Sequence, residues 1–453
     1  THASNVTGDG NDIAQIGTLC EKYNLYFILD ASQTAGTAGI NMEQDHISAI
    51  CFTGHKGLFG PQGTGGIALA DGVCVKPLLS GGSGVHSFER KHPMELPAAL
   101  EAGTLNGHGI AGLHAALDWI KKTGIAAIHE KEMALAEQFQ RGIETIPGIH
   151  LYGGEKRVAA IVSCNLADLD SAYVSDCLAE DYGIATRAGV HCAPLMHTHF
   201  GTEKQGMVRF SFSCFNTTEE VEKAVRAMQD IAAENRGKVT AYVGAGGKTS
   251  SIRKRAETLR AEGKRVLILT TTKMMVPQEQ EIFTAYEQTG QESVISATAS
   301  VWQERRAAEK QLKERVQSVL DTYGCCVAGS LIPGTEKFGM LPEKLMEDLL
   351  YLADEILIEA DGSAHMPVKA PAEHEPVLFP YMDEVVIVMG AHAIGKPLRE
   401  VCHRVDYAKE LLKCDADKIV TAADLKTLAE QGYAIPIQKQ YPWMKISKVT
   451  GKD

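Results

Sequence analysis

The sequence predicts an α/β protein in two modules, and three observations predict it. Near-continuous apolar runs end on acids or glycine-rich turns, which suits strands of a parallel sheet covered on both faces. Stretches with helical apolar spacing alternate with those runs. The strand, glycine loop, helix pattern then restarts after the polar stretch 234–240, ENRGKVT. The first module is placed at residues 1–235. The second, at 238–453, is expected to be a P-loop-like α/β nucleotide-binding domain.

In the first module, residues 24–30 (NLYFILD) and 47–53 (ISAICFT) read as strands, and glycine-rich connectors follow at 54–66 and 80–84. Residues 111–122 and 131–143 have helical spacing. Residues 158–165 and 207–212 read as strands of a smaller layer. Residues 218–235 form an amphipathic helix with threonine at its N-cap and glutamates in its first turn. In the second module, 239–243, the loop 244–249, a helix to 262 and a strand at 265–270 make one βαβ unit. Further strands are expected at 325–329, 354–360 and 384–389. The opening THASNV reads as the end of a strand already begun, so an N-terminal part is expected before Thr1. The closing PWMKISKVTGKD is expected to finish in no clear element.

Composition narrows the class. The 453 residues exceed one ordinary core and, at roughly 150 residues per domain, suggest about three compact units. With 44% hydrophobic and 23% charged residues the chain is globular and soluble in type. A net charge of −12 argues against broad nucleic-acid binding, which needs a basic footprint. No apolar run is long enough to cross a bilayer, and residues 1–20 lack signal-peptide order. The cysteines number eleven, an odd count with no CxxC, which favours free thiols in a reducing cytoplasm.

The first chemical constellation begins with Asp30, an acid ending an apolar strand at the rim of a sheet, where α/β ligands bind. Taken alone, it reads equally well as a helix cap. Thr53-Gly54-His55-Lys56-Gly57 places a lysine between glycines just past a strand. That suits a Schiff-base lysine with Thr53 and His55 as phosphate donors, or a plain surface turn. The loop RAGVHCAPLMHTH puts Cys192 beside Arg187 and His191, a setting suited to a nucleophilic thiol. A bland loop thiol is the alternative. Metal binding by His191, Cys192, His197 and His199 is a third, though their spacing is not a standard zinc pattern.

The stretches THASNVTG, LDASQTAG, FTGHKGLFGPQGTGG, EAGTLN, RAGVHCAP and VRFSFSCFNT, in that order over residues 1 to about 217, resemble the class V aminotransferase superfamily of fold type I. Within it they resemble the cysteine desulfurases and selenocysteine lyases. The resemblance implies pyridoxal 5'-phosphate carried by Lys56, with Asp30 at the pyridine nitrogen and Gln33 and Asn5 at the ring hydroxyl. Thr53 and His55 would bind the phosphate. Thr104 would reach the phosphate of the partner subunit in a homodimer. Arg209 would clamp the substrate carboxylate, a bidentate task lysine does poorly, and Arg187 would be a further substrate contact. Cys192 falls at the sulfur-accepting position. The implied reaction takes sulfur or selenium from L-cysteine or L-selenocysteine, leaves alanine, and passes the chalcogen to an acceptor protein. The family's N-terminal portion, with its phosphate loop and ring-stacking histidine, precedes this chain's first residue, and His2 lies too late to be that histidine. The expected fold is therefore a partial large domain plus the small C-terminal domain. Two rivals remain: a simple transaminase or lyase using Lys56 alone, and an incomplete fragment serving as a dimerisation scaffold.

The second constellation is Gly244-Ala245-Gly246-Gly247-Lys248-Thr249, between an apolar strand and a helix. The full Walker pattern needs a glycine where Tyr242 stands, so this is a shortened G-x-x-G-K-T loop. Its amides and helix N-terminus form an anion nest, Lys248 adds a charge, and Thr249 offers a hydroxyl to magnesium. A tight strand–helix turn is the plainer alternative. EILIEADGS ends an apolar strand in acids, so Asp361 or Glu359 is the candidate magnesium-water ligand, with Asp361 preferred. VGAGGKTS, ILTTTKM, EADGSAHMPVKAPAEHEP, VIVMGAHAIGKPL and the His403-Arg404 pair resemble the YqeC family. That family is described as accessory to selenium-dependent molybdenum hydroxylases. The loop and the acids at the strand end, rather than the resemblance, suggest ATP or GTP, with magnesium, in the second module.

Overall fold

The computed structural model describes residues 1–86, 88–286 and 299–451, with side chains omitted at 299–303 and 451. The chain divides into two compact units, Thr1–Ile231 and Ala232–Asp453. The three units suggested by length reduce to two because the first holds two small sheets.

The first unit runs α1 (Ile13–Lys22), β1 (Ile28–Asp30), β2 (Ala49–Thr53), β3 (Gly65–Leu69), α2 (Gly107–Thr123), α3 (Ile125–Ile143), β4 (Ile149–Tyr152), β5 (Ile161–Leu166), α4 (Ser171–Glu180), α5 (Pro194–Phe200) and β6 (Val208–Ser211), with α6 (Thr218–Asn235) leading out of it. One sheet has the order β1-β2-β3 and the other β4-β5-β6. β1 and β2 are parallel, with Asp30 opposite Cys51. Asp30 and the turn after Thr53 therefore leave the sheet at the same end. The expected strand 24–30 shortens to its last three residues, since Leu25 and Tyr26 are exposed at the sheet's edge. β5 is buried along its whole length.

The second unit continues β7 (Lys238–Gly244), α7 (Lys248–Ala261), β8 (Val266–Thr270), β9 (Met274–Met275), β10 (Phe283–Tyr286), α8 (Ala299–Tyr323), β11 (Cys325–Leu331), β12 (Lys337–Gly339), α9 (Glu343–Leu349), β13 (Glu355–Glu359), β14 (Val368–Lys369), β15 (Glu384–Gly390), α10 (Leu398–Val401), β16 (Cys402–His403), α11 (Val405–Leu412), α12 (Ala422–Thr427), α13 (Ile435–Gln440) and β17 (Lys445–Gly451). A seven-residue π-helical stretch, Leu428–Ala434, joins α12 to α13. The main sheet has the order β17-β15-β7-β13-β8-β11-β12-β9, with β10 beside β11. Its strands from β17 to β11 are parallel. β7 lies between β13 and β15 while its helix leads to β8 beyond β13, so the chain reverses direction of growth at β7. Open α/β sheets bind ligands at the carboxyl ends of strands at such a switch point. The C-terminal segment, expected to lack a clear element, instead forms β17, paired in parallel along all of β15.

Among the described residues, no helix is long and apolar enough to cross a membrane. All eleven cysteines are free thiols.

Candidate functional site

In the first unit, the loops after β1 and β2 meet so closely that only glycine fits. A Cβ on Gly36, which has φ +91°, would lie 2.4 Å from the carbonyl oxygen of Gly57. This contact between the LDASQTAG and GHKG stretches fixes the turn that carries Lys56. The turn opens on a cavity of about 600 Å³. Asn5, Gln33, Lys56, Arg187, Cys192 and Arg209 all line it, drawn from five separate stretches of chain. Lys56 projects from the β2–β3 turn, and Arg209 from β6.

Arg187 and Arg209 are tied backbone to backbone, with Arg209 N donating to Arg187 O at 2.8 Å. Neither makes an ion pair among the described residues. Burial, then the neighbouring Arg187, holds the Arg209 guanidinium below its usual value. Its Nη1 donates to Asn5 O at 2.9 Å, and its Nε is buried without a partner. Asn5 Nδ2 in turn donates to His191 O at 2.7 Å. His191 Nε2 donates to Arg187 O at 3.0 Å. These bonds hold the loop in which His191 and Cys192 both take the left-handed conformation, at φ +52° and +56°. Cys192 is exposed on this loop. Burial lowers the His191 pKa, so the ring is neutral near pH 7.

The other expected residues are not among those that line this cavity. Asp30 Oδ1 accepts from Ser32 N at 2.9 Å, so its carboxylate does cap the next turn. Hydrogen bonding from Ser32 holds that carboxyl below its ordinary value, and the charge of Lys56 adds to the effect. Thr53 Oγ1 is buried without a partner. His55 and Thr104 are exposed. Among the described residues, no group of three or more His, Cys, Asp or Glu is arranged to hold a metal. His197 Nδ1 is engaged by Thr202 Oγ1 at 2.9 Å, and its ring stacks on His191.

Sequence reasoning missed Glu132, which also lines the cavity. It sits on the buried face of α3 with Ile128, Leu135, Ala136, Phe139 and Ile143. An acid within an apolar stripe was the available signal. Its Oε1 accepts from Cys214 N at 3.1 Å, and burial pushes its pKa up to about 7. A carboxyl whose folded pKa exceeds its unfolded one stabilises the fold while protonated. Stability should therefore fall as pH rises from about 4.5 to about 7. The full effect is about 3 kcal/mol. Glu132→Gln should raise the melting temperature at pH 8 and leave it nearly unchanged at pH 4.5. Calorimetry at the two pH values checks this.

In the second unit, the loop after β7 packs as tightly. A Cβ on Gly246, which has φ +75°, would lie 2.5 Å from Pro367 O. Lys248 is 4% exposed, and its Nζ donates to Gly244 O at 2.6 Å. Burial lowers its pKa, against the pull of Glu359 and Asp361. Gly244, Gly246, Gly247, Lys248 and Thr249 thus form one connected turn at the carboxyl end of the sheet. Of the two candidate acids, Glu359 is the one bonded to Thr249. Thr249 Oγ1 donates to Glu359 Oε2 at 3.0 Å. Asp361 is instead enclosed: it accepts from Gly244 N at 3.2 Å and from the Tyr433 hydroxyl at 2.7 Å, and it is ion-paired with Lys369. A carboxylate already neutralised by a buried ammonium is poorly placed to hold a cation, whereas Glu359, the other candidate, is bonded to Thr249. Burial raises the Glu359 pKa.

Comparison with known proteins follows the same division. Residues 1–224 match the family model described as aminotransferase class-V. Residues 240–406 match the model described as YqeC protein. A probable cysteine desulfurase of Methanothermobacter thermautotrophicus is 33% identical over 237 residues, covering 51% of this chain and 59% of that relative. A cysteine desulfurase of Shigella flexneri is 31% identical over 236 residues, covering 51% and 57%. The solved apo structure of a cysteine desulfurase from Thermococcus onnurineus NA1 aligns at 30% identity with a TM-score of 0.48, covering 51% of this chain and 59% of that one. The chain spans somewhat over half the length of these relatives. Residues 1–224 are thus similar to the class V aminotransferases and residues 240–406 to the YqeC family, within one chain.

Proposed function

We propose that the first module frees sulfur or selenium from L-cysteine or L-selenocysteine, with Lys56 carrying pyridoxal 5'-phosphate and Cys192 receiving the chalcogen. The convergence of Lys56, Cys192, Arg187 and Arg209 on one cavity carries this reading. The residues suit the cofactor. The Thr53 hydroxyl, three residues before Lys56, is buried and lacks the partner that a phosphate oxygen would be. Gln33 and Asn5 line the wall, and Asp30 keeps its charge beside Lys56. Bound there, the cofactor supplies the electron sink for cleaving the substrate's carbon–sulfur bond.

The chain's own groups divide the remaining work. Two adjacent guanidiniums without a carboxylate partner favour an anion, and Arg209 Nε is a buried donor still to be used. They hold the substrate carboxylate. Lys56 moves the proton at the α-carbon. Cys192 attacks the substrate's sulfur: a sulfur–sulfur bond forms, the carbon–sulfur bond breaks, and alanine leaves after the carbon takes up a proton. The persulfide then sits on an exposed loop, within reach of an acceptor protein. Thr104, exposed and off this cavity, is assigned to the phosphate of a partner subunit in a homodimer, with His55 on the phosphate of its own.

Cys192→Ala tests the reading. Sulfide release from L-cysteine should fall at least about a hundredfold, and the persulfide should vanish from alkylated digests by mass spectrometry. The visible absorbance of the bound cofactor should remain. Undiminished sulfide release would assign the module to the lyases that use Lys56 alone.

For the second module we infer binding of ATP or GTP with magnesium, on the support of the buried Lys248 and the Thr249–Glu359 pair at the switch point. Together the modules make a cytoplasmic protein that mobilises a chalcogen and assists maturation of a selenium-dependent molybdenum hydroxylase. Deleting each module separately should impair the same hydroxylase. Defects in unrelated pathways would refute the joint role.

A further inference from the structure

We propose that Tyr433 and Lys369 are positioning residues for the second module's glycine-rich loop, acting on it through Asp361; this rests on the reading of that loop as a nucleotide site. Gly244 is held on both sides of its Cα. Its amide donates to Asp361 Oδ2 at 3.2 Å, and its carbonyl oxygen accepts from Lys248 Nζ at 2.6 Å. The first peptide of the loop is therefore fixed by a carboxylate rather than by the loop itself. Asp361 is 2% exposed and is itself fixed by the Tyr433 hydroxyl and the Lys369 ammonium. Lys369, which has no exposed surface, also donates to Gly362 O at 2.6 Å and pairs with Glu375 at 2.6 Å. Glu375 pairs with Arg404 at 2.9 Å.

Two physical needs explain this arrangement. A carboxylate beside a phosphate site repels the ligand unless a cation cancels it, and in a buried setting that repulsion is large. Lys369 supplies the cancelling charge. The second need is rigidity, because an anion nest binds only when its amides are already aimed. Tyr433 meets that need from the π-helical stretch, a conformation frequently found at functional sites.

The experiment titrates ATP and GTP, each with magnesium, into the full chain and its variants. Tyr433→Phe removes one hydroxyl and should raise the nucleotide Kd roughly tenfold, with the melting temperature little changed. Hydrogen exchange at the Gly244 amide should accelerate in the same variant, a signature that lost packing elsewhere does not produce. Lys248→Ala serves as the control and should remove binding. If Lys248→Ala removes binding while Tyr433→Phe leaves Kd unchanged, the positioning role is wrong and the nucleotide reading stands. If Lys248→Ala binds as the parent does, the nucleotide reading itself fails. Should Tyr433→Phe not fold, Asp361→Asn takes its place, and an unchanged Kd there overturns the proposal equally.

Discussion

Lys56→Ala should lower alanine release from L-cysteine by at least about a thousandfold and remove the visible absorbance of the chain mixed with pyridoxal phosphate. The size of the effect follows from the double duty placed on one amine. In the proposed reading Lys56 is both the covalent anchor of the cofactor and the base at the α-carbon, and no neighbour can replace the anchoring amine. Among the described residues, Lys56 is the one lysine lining the cavity. The nearby histidine, His191, is held neutral by burial and has its Nε2 proton committed to Arg187 O. The two arginines do not give up protons at any working pH. The absorbance readout separates this reading from the scaffold alternative. A scaffold shows no cofactor band before or after the substitution, and that result would remove the proposed chemistry along with its anchor. A band that survives in Lys56→Ala would mean cofactor held at some other amine.

The candidate residues that share the cavity were legible because their chemistry is written locally. Lys56 sits between glycines after an apolar strand, and Cys192 lies in a loop marked by glycine and proline. The glycines signal close backbone approach, and Gly36 against Gly57 bears that out. The parallel strands of the second unit were legible for a similar reason, since β7, β8, β13 and β15 are buried nearly throughout and read as unbroken apolar runs. β17 was not. Its KISKVTG places lysines among apolar residues, as suits an edge strand: among the described residues it pairs with β15 alone. Glu132 carried a signal, an acid on the apolar stripe of α3, but nothing local in the sequence tied it to the cavity. Which of Glu359 and Asp361 bonds Thr249 was not legible, for a geometric reason. Glu359 ends β13 and Asp361 lies two residues beyond, where the chain has left the strand and alternation no longer tells which way a side chain points. Tyr433 lies 72 residues from the acid it serves, a distance at which no local pattern carries information.

Lys369→Met should destabilise the second unit by about 3–5 kcal/mol, the usual cost of breaking a fully buried ion pair by removing one partner. Lys369 has no exposed surface and stands between two carboxylates, Asp361 and Glu375. Methionine fills nearly the same volume, so packing is largely kept and the loss reports the charge. Burial alone would raise the Glu375 pKa, but Lys369 and then Arg404 outweigh it and hold the carboxyl below its ordinary value. A depressed pKa contributes stability that is present above the unfolded value near 4.5 and is lost as pH falls through the folded value. Removing Lys369 abolishes most of that contribution. The gap between parent and variant should therefore be widest near neutral pH and narrow below about pH 4.5. Urea unfolding followed by tryptophan fluorescence measures it, in a Trp119→Phe background that leaves the remaining tryptophans in residues 232–453. Adding Asp361→Asn to Lys369→Met removes one of the two stranded charges and should restore part of the loss. If the double variant is no more stable than Lys369→Met, the cost lies in packing. The buried charges would then owe their presence to the shape of the core, and the electrostatic account of the loop would lose its foundation.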